Sequence, residues 1–323
     1  MKKKNTVIIV LFLALVSGKV FANETSLSLS TYFAYYPASE MKVATPGSVT
    51  FAPITGPFAG VDLSTLFDAK YKIDTPLGEH WLLNSANVVL IGTFETTPVS
   101  VRPKVSAEFT PFPFLVLRAG GSIGLGWSIP GIGGFREFNT ISCKYENLST
   151  FEHPYYELWA GAALQFDTGA LIEGDWSHVL IVGSFTTVYS GVAGLRDKTV
   201  FEWQCSKGRV TGLAYEAQGV LAYQMPLALK MAGVMVKSVG YFNGSDYGKY
   251  DSTFDGDFPT INISPFMQFE FGEKDQLLCC FELSSRRSYE KKVENDSDAL
   301  YYKVTGREWF FQRISLCWIH KFM

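Results

Sequence analysis

Charged side chains recur at every second position along several stretches of this 323-residue chain. In VSVRPKVSAEF (99–109), Arg102, Lys104 and Glu108 alternate with Val99, Val101, Pro103, Val105, Ala107 and Phe109. Successive side chains of a strand point to opposite faces, so one face is charged and the other apolar. The same phase holds Asp62, Asp68, Lys70 and Lys72 in VDLSTLFDAKYKI (61–73) and Glu157 in YYELWAGAALQF (155–166). It also holds Glu270 in TINISPFMQFEF (260–271), and Glu282 and Arg286 in QLLCCFELSSRR (276–287), with Arg118 and Arg313 in their own runs. Charges ranked along strand faces select ions or pair with one another. They do not by themselves make a nucleophile.

Catalytic constellations are thin. There are four His. Asp175, Ser177 and His178 lie close together in DWSH, but neighbours along a strand face opposite ways, and a triad is defined by geometry. His153 sits beside Glu152 in FEHPYY. GGSIGLG and PGIGG (120–134) lack the Lys-Ser/Thr and helix of a phosphate loop, and instead suit strand bending, close packing and a mobile loop. The acids Asp246, Asp251, Asp255 and Asp257 fit no EF-hand spacing, so a solvated loop is expected. The five Cys, at 143, 205, 279, 280 and 317, form no CxxC pair and no ligand spacing with His. Cys143 and Cys205 both fall in long connections on the same side and are the candidate disulfide of an exported chain. No metal, cofactor or catalytic residue is called for, and the expectation is a non-enzyme.

The N-terminus has the layout of a secretory signal peptide: Lys2–Lys4, then the apolar run Val7–Val16, then SGKVFA. The apolar run is too short to span a bilayer. Residues 1–22 are therefore read as a signal peptide and 23–323 as one domain. Without 1–22 the chain carries 24 basic and 31 acidic residues, a net charge of −7. That balance does not suggest a nucleic-acid partner. No run after residue 22 reaches 18 apolar residues.

These residues are placed by period-two segments. About twelve are countable, at 25–36, 58–73, 82–94, 99–109, 114–127, 155–166, 170–188, 210–223, 227–241, 260–271, 276–287 and 303–322. The segment 170–188 puts Val179 and Ile181 in phase with Glu173 and Asp175, which predicts a bulge. Short turns at 110–113, 167–170, 225–228 and 272–275 alternate with mostly long connections. Tyr71, Phe109, Phe166, Tyr223, Phe271 and Phe322 fall in the apolar phase at the short-turn end, as an aromatic girdle does at a membrane boundary.

The chain predicts an all-β fold, a single antiparallel transmembrane β-barrel. Its alternation, long strands, loop asymmetry and aromatic penultimate residue Phe322 resemble the bacterial outer-membrane β-barrel proteins, the porin-like class. The resemblance implies an integral outer-membrane location, contact with outer-membrane lipid and handling by the barrel-assembly machinery. The charged phase then faces the lumen. It either lines a wet channel for small polar solutes or pairs across and closes it. Size alone favours the narrow channel. A closed-lumen structural or surface-binding barrel is the alternative, and a barrel enzyme comes third.

Overall fold

A computed structural model describes residues 24–80, 82–295 and 297–323. The predicted signal peptide, 1–22, lies outside the described residues. The alternating segments are strands. In chain order they are β1 (Glu24–Ala38), β2 (Val49–Ala52), β3 (Gly56–Asp74), β4 (Asn87–Thr97), β5 (Ser100–Phe112), β6 (Leu115–Gly126), β7 (Phe135–Asn139), β8 (Lys144–Asn147) and β9 (Tyr155–Asp167). Then follow β10 (Val179–Val192), β11 (Phe201–Trp203), β12 (Ser206–Arg209), β13 (Gly212–Gln224), β14 (Leu229–Tyr241), β15 (Thr260–Phe271), β16 (Asp275–Tyr289) and β17 (Val304–Lys321).

Twelve of these form a continuous antiparallel meander that closes on itself. Closure is made by β1 and β17, with Ser28 opposite Lys321 and Tyr35 opposite Ile314. A closed ladder satisfies backbone groups without leaving sheet edges. Short β2 runs parallel to β17 at Arg307–Phe310, beyond the point where β1 leaves it. Among the described residues no helix is long and apolar enough to cross a membrane.

Both termini of the barrel lie at one end. The connections there are 75–86, 113–114, 168–178, 225–228 and 272–274. At the other end are 39–55, 98–99, 127–154, 193–211, 242–259 and 290–303. The expected asymmetry is present, with two corrections. Strand β10 begins at Val179, not at 170, so Glu173 and Asp175 belong to an exposed connection and no bulge is needed. Ile181 and Phe185 then share one outward phase. Strand β4 runs 87–97 rather than 82–94, which brings Glu95 into the barrel wall.

The long connections are folded. β7, β8, β11 and β12 make a second sheet in the order β12-β11-β7-β8. It carries two buried clusters. One joins Phe135, Tyr155, Val192, Phe201 and Trp203. The other joins Phe138, Val200, Val210, Tyr247, Tyr250, Phe254 and Leu300. These clusters include apolar residues from four of the long connections, and their burial gives the cap a core of its own.

The lumen and its cap as the candidate functional site

Alternation sorts the wall into two faces. Val61, Leu63, Val105, Ile123, Leu158, Leu164, Ile181, Leu221, Val236 and Trp318 are exposed on the outside. Glu95, Ser122, Thr186, Ser264, Glu282 and Ser315 are buried on the inside. Phe166, Tyr223, Phe271 and Phe322 stand exposed at the short-turn end, and Tyr71 and Phe109 are half-buried at the same end. Val99 departs from its phase. It lies at the tip of the 98–99 hairpin and is buried close against Gly134 rather than facing outward.

Inside, the charges towards the long-loop end are paired. Glu95 is the hub on one side: Arg102 Nη2 lies 2.8 Å from its Oε2 and Lys104 Nζ also reaches that oxygen. Gln204 Nε2, from the cap, donates to Glu95 Oε1 at 2.8 Å and to Ser100 Oγ at 2.9 Å. Arg102 also faces Glu157 at 3.6 Å. Tyr155 Oη donates to Glu157 Oε2 at 2.7 Å, and cap residue Arg209 donates to Tyr155 Oη at 3.2 Å. On β16 and β17, Arg313 donates to Glu282 at 3.0 Å and to Tyr36 Oη at 3.0 Å, and Tyr36 donates to Asp62 at 2.5 Å. Arg286 donates to Glu308 at 2.8 Å, and Lys237 lies 2.6 Å from Glu216. Glu202 in the cap is held by Arg136 at 2.6 Å.

The remaining predicted lumen residues are spread along the barrel. Glu108 and Arg118 are cross-strand partners, and Arg118 donates to Thr186 Oγ1 at 2.6 Å. They share a cavity of about 250 Å³ with Ser106 and Trp159. Asp68 accepts from Thr93 at 2.5 Å. Lys70 pairs in register with Ile91. Lys72 sits at the rim near Glu24, 3.4 Å, and Asp74, 3.8 Å. Glu270 accepts from Gln276 at 3.2 Å.

The cap is locked to the wall by Trp203. Its ring is fully buried, stacks on Tyr155 with centroids 4.4 Å apart, and meets Phe135 edge-on at 5.4 Å. The room for it is glycine. A Cβ at Gly124 would sit 2.5 Å from the indole, and one at Gly126 2.7 Å. Gly120 makes the same room for Trp159. The GGSIGLG run is thus a packing surface rather than a phosphate loop.

Two candidate chemistries do not assemble. Cys143 and Cys205 are both free thiols. β7 and β11 run antiparallel with Trp203 beside Phe135, so the β11–β12 turn and the β7–β8 turn lie at opposite ends of the cap sheet. The expected bridge is not formed. Ser177 Oγ donates to Ile172 O and Gly174 O, each at 2.6 Å, while His178 Nδ1 lies 2.8 Å from Asp167. His153 Nδ1 bonds Ala193 O at 3.0 Å. Among the described residues no three metal-ligating side chains cluster. In the cap, burial raises the pKa of Asp246, and burial together with neighbouring Asp257 raises that of Asp255. Burial pushes the Tyr247 hydroxyl well above its usual value.

An apolar outer belt on a closed ladder, with charge kept inside, is stable only in hydrocarbon. The chain is a membrane-spanning β-barrel. No protein-family model matches the barrel's sequence, nor does any curated protein. Solved structures similar in outline include the β-domain of the Bordetella autotransporter Brka (9% identity, TM-score 0.39, covering 93% of this chain and 100% of that one). The translocator domain of autotransporter NalP from Neisseria meningitidis is 10% identical with a TM-score of 0.35, covering 98% of this barrel's chain and 94% of its own. Outer-membrane expressed OmpT of Vibrio cholerae is 10% identical with a TM-score of 0.36, covering 93% and 97%. Likeness at that level compares one barrel with another and says nothing about activity.

Residues that sequence reasoning passed over include the hub Glu95, the buried Glu308 of β17 and the buried cap acid Glu202. Glu95 was legible: it continues the phase of Thr93 and faces Arg102 across β4 and β5. Glu308 faces Arg286 across β16 and β17, but a register shift beside Arg313 puts it out of that residue's simple alternation. Glu202 meets Arg136 through the cap sheet, for which no periodic signal exists.

Proposed function

We propose that this chain is an integral barrel of a bacterial outer membrane, exported with a cleavable signal peptide, whose lumen is closed on the long-loop side. The folded cap is then its surface-exposed, partner-facing part. The observation that carries this is the fully buried Trp203, stacked on Tyr155 in space left by Gly124 and Gly126. A loop that merely drifted over an open pore would not bury its largest side chain in a matched recess. The ion pairs around Glu95 and Glu282 support the same reading, since they occupy the charges that a diffusion channel would offer to solutes. Passage of small polar solutes then requires displacement of the cap. Outer-membrane lipid and the barrel-assembly machinery are the implied partners, and the reading assigns no catalysis. Single-channel recording in planar bilayers tests it. The refolded barrel should insert without steady current steps at moderate voltage. Uniform, long-lived steps from the unaltered chain would overturn the closed reading in favour of the narrow diffusion channel.

A further inference from the structure

The short-turn half of the lumen is not polar all round. Residues paired in register share a face. Val182 pairs with Val220, Val220 with Met235, and Leu180 with Ala222. These positions lie in the lumen phase, opposite to exposed Ile181, Leu221 and Val234. On β3 and β5 the lumen phase instead carries Asp68, Lys70, Ser106 and Glu108, with Ile91 of β4 between Lys70 and Ser106. Apolar surface left against water costs free energy in proportion to its area, and the paired charges of the long-loop half have no use for it.

This strip opens into a cavity of about 580 Å³ at the short-turn mouth. Leu82, Phe114, Phe166, Leu171, Leu180 and Val182 line it, with Gln165 and Asp167 as polar groups. An apolar cavity of this size with a few polar groups has the makeup of a ligand site. Its position identifies the ligand. Phe166 belongs to the outer, lipid-facing phase of β9, while Leu180 and Val182 belong to the lumen. The cavity therefore lies on the lumen side at the end of β9, level with Phe166 at the membrane boundary. Taking roughly 30 Å³ per methylene, about the share of a water molecule in the liquid, it holds a chain of roughly 15 carbons or more.

We propose that the short-turn mouth binds a single acyl chain, with its head outside the apolar lining, at the mouth. The chain comes either from a free fatty acid or from a lipid of the adjacent leaflet. This rests on the barrel being embedded in a membrane, not on the cap being closed.

The test uses the full barrel in nanodiscs of saturated phosphatidylcholine, with photoactivatable palmitic acid in one arm and a photoactivatable phospholipid in the other. Adducts are mapped by peptide mass spectrometry. The expected result is saturable labelling at Leu171 and Leu180–Val182, at no more than one adduct per barrel, in at least one arm. The arm that labels identifies the source. Val182→Asp should cut lumen labelling at least tenfold, and Val182→Trp, which fills the cavity without burying a charge, should do the same. Labelling of Leu221 on the outer face reports membrane embedding and should be unchanged. Non-saturating labels confined to Leu221 and its outward neighbours would overturn the proposal. Lumen labels unaffected by Val182→Trp would also overturn it. Absence of labelling at Leu221 would instead refute the embedded barrel itself.

Discussion

Replacing Trp203 by Ala tests whether the cap is a folded lid or a passive loop. The indole is fully buried against Tyr155 and Phe135. Truncating a buried Trp to Ala typically costs about 3–5 kcal/mol through lost transfer energy and the cavity left behind. Nothing in the barrel ladder depends on this side chain, because β6 pairs with β5 and β9 through its backbone. The loss therefore falls on cap closure, and about 4 kcal/mol is roughly a thousandfold in the open population. Limited trypsin digestion of the refolded barrel reads this out at Lys198 and Lys207 in the 193–211 connection. Heat-modifiable gel mobility reads out the barrel separately. The expected result is cleavage faster by two to three orders of magnitude, with barrel mobility unchanged and conductance steps appearing. Gly124→Ala should act in the same direction through a weaker wedge, since overpacking usually costs about 1–3 kcal/mol. Unchanged cleavage in W203A would refute the lock. Loss of barrel and cap together would refute their independence.

Three further outcomes follow from the same geometry. Val105→Arg places a charge in the exposed apolar face midway along β5; it should cost about 2–4 kcal/mol in urea titrations of the barrel in lipid vesicles, and no change would mean that this face is not in hydrocarbon. Glu95→Gln leaves Arg102 and Lys104 without their shared carboxylate and should cost about 3 kcal/mol, the low end for a broken buried pair; in the W203A background, reversal-potential measurements should move towards anion selectivity. Asp246 and Asp255 have raised folded pKa values, so their contribution to cap stability is present below the ordinary carboxylate pKa and is lost as pH rises through the raised one. Amide exchange across 244–258, corrected for its intrinsic rate, should therefore slow on acidification from neutral into that range, and Asp255→Asn should flatten the dependence.

How much of the site was readable depends on whether its partners are neighbours in the ladder. Glu108 and Arg118 sit opposite each other because one tight turn joins β5 and β6. Glu282 and Arg313 pair across adjacent strands too. Their phase was visible in sequence, and so was their inward orientation once the outer face was taken as apolar. Glu202 and Arg136 meet only because the 127–154 and 193–211 connections build a common sheet. The same sheet sets the turns holding Cys143 and Cys205 apart, which loop position alone could not reveal. The start of β10 was misplaced because LIEGDW carries apolar residues in an exposed connection, and alternation there mimics a strand.

By itself the sequence determined the number of barrel strands, the phase of most of their residues and the asymmetry of the two ends. Those are local properties: a period of two and a turn can be read over a dozen residues, and hydrocarbon outside enforces them on every strand. Tertiary structure alone decided what the lumen holds. Closure of β1 on β17, the buried indole over Gly124 and the apolar strip through Val182, Val220 and Met235 each join side chains from separate segments. The strip in particular looks in each strand like an imperfect alternation, and becomes a continuous surface only when the ladder sets those positions side by side.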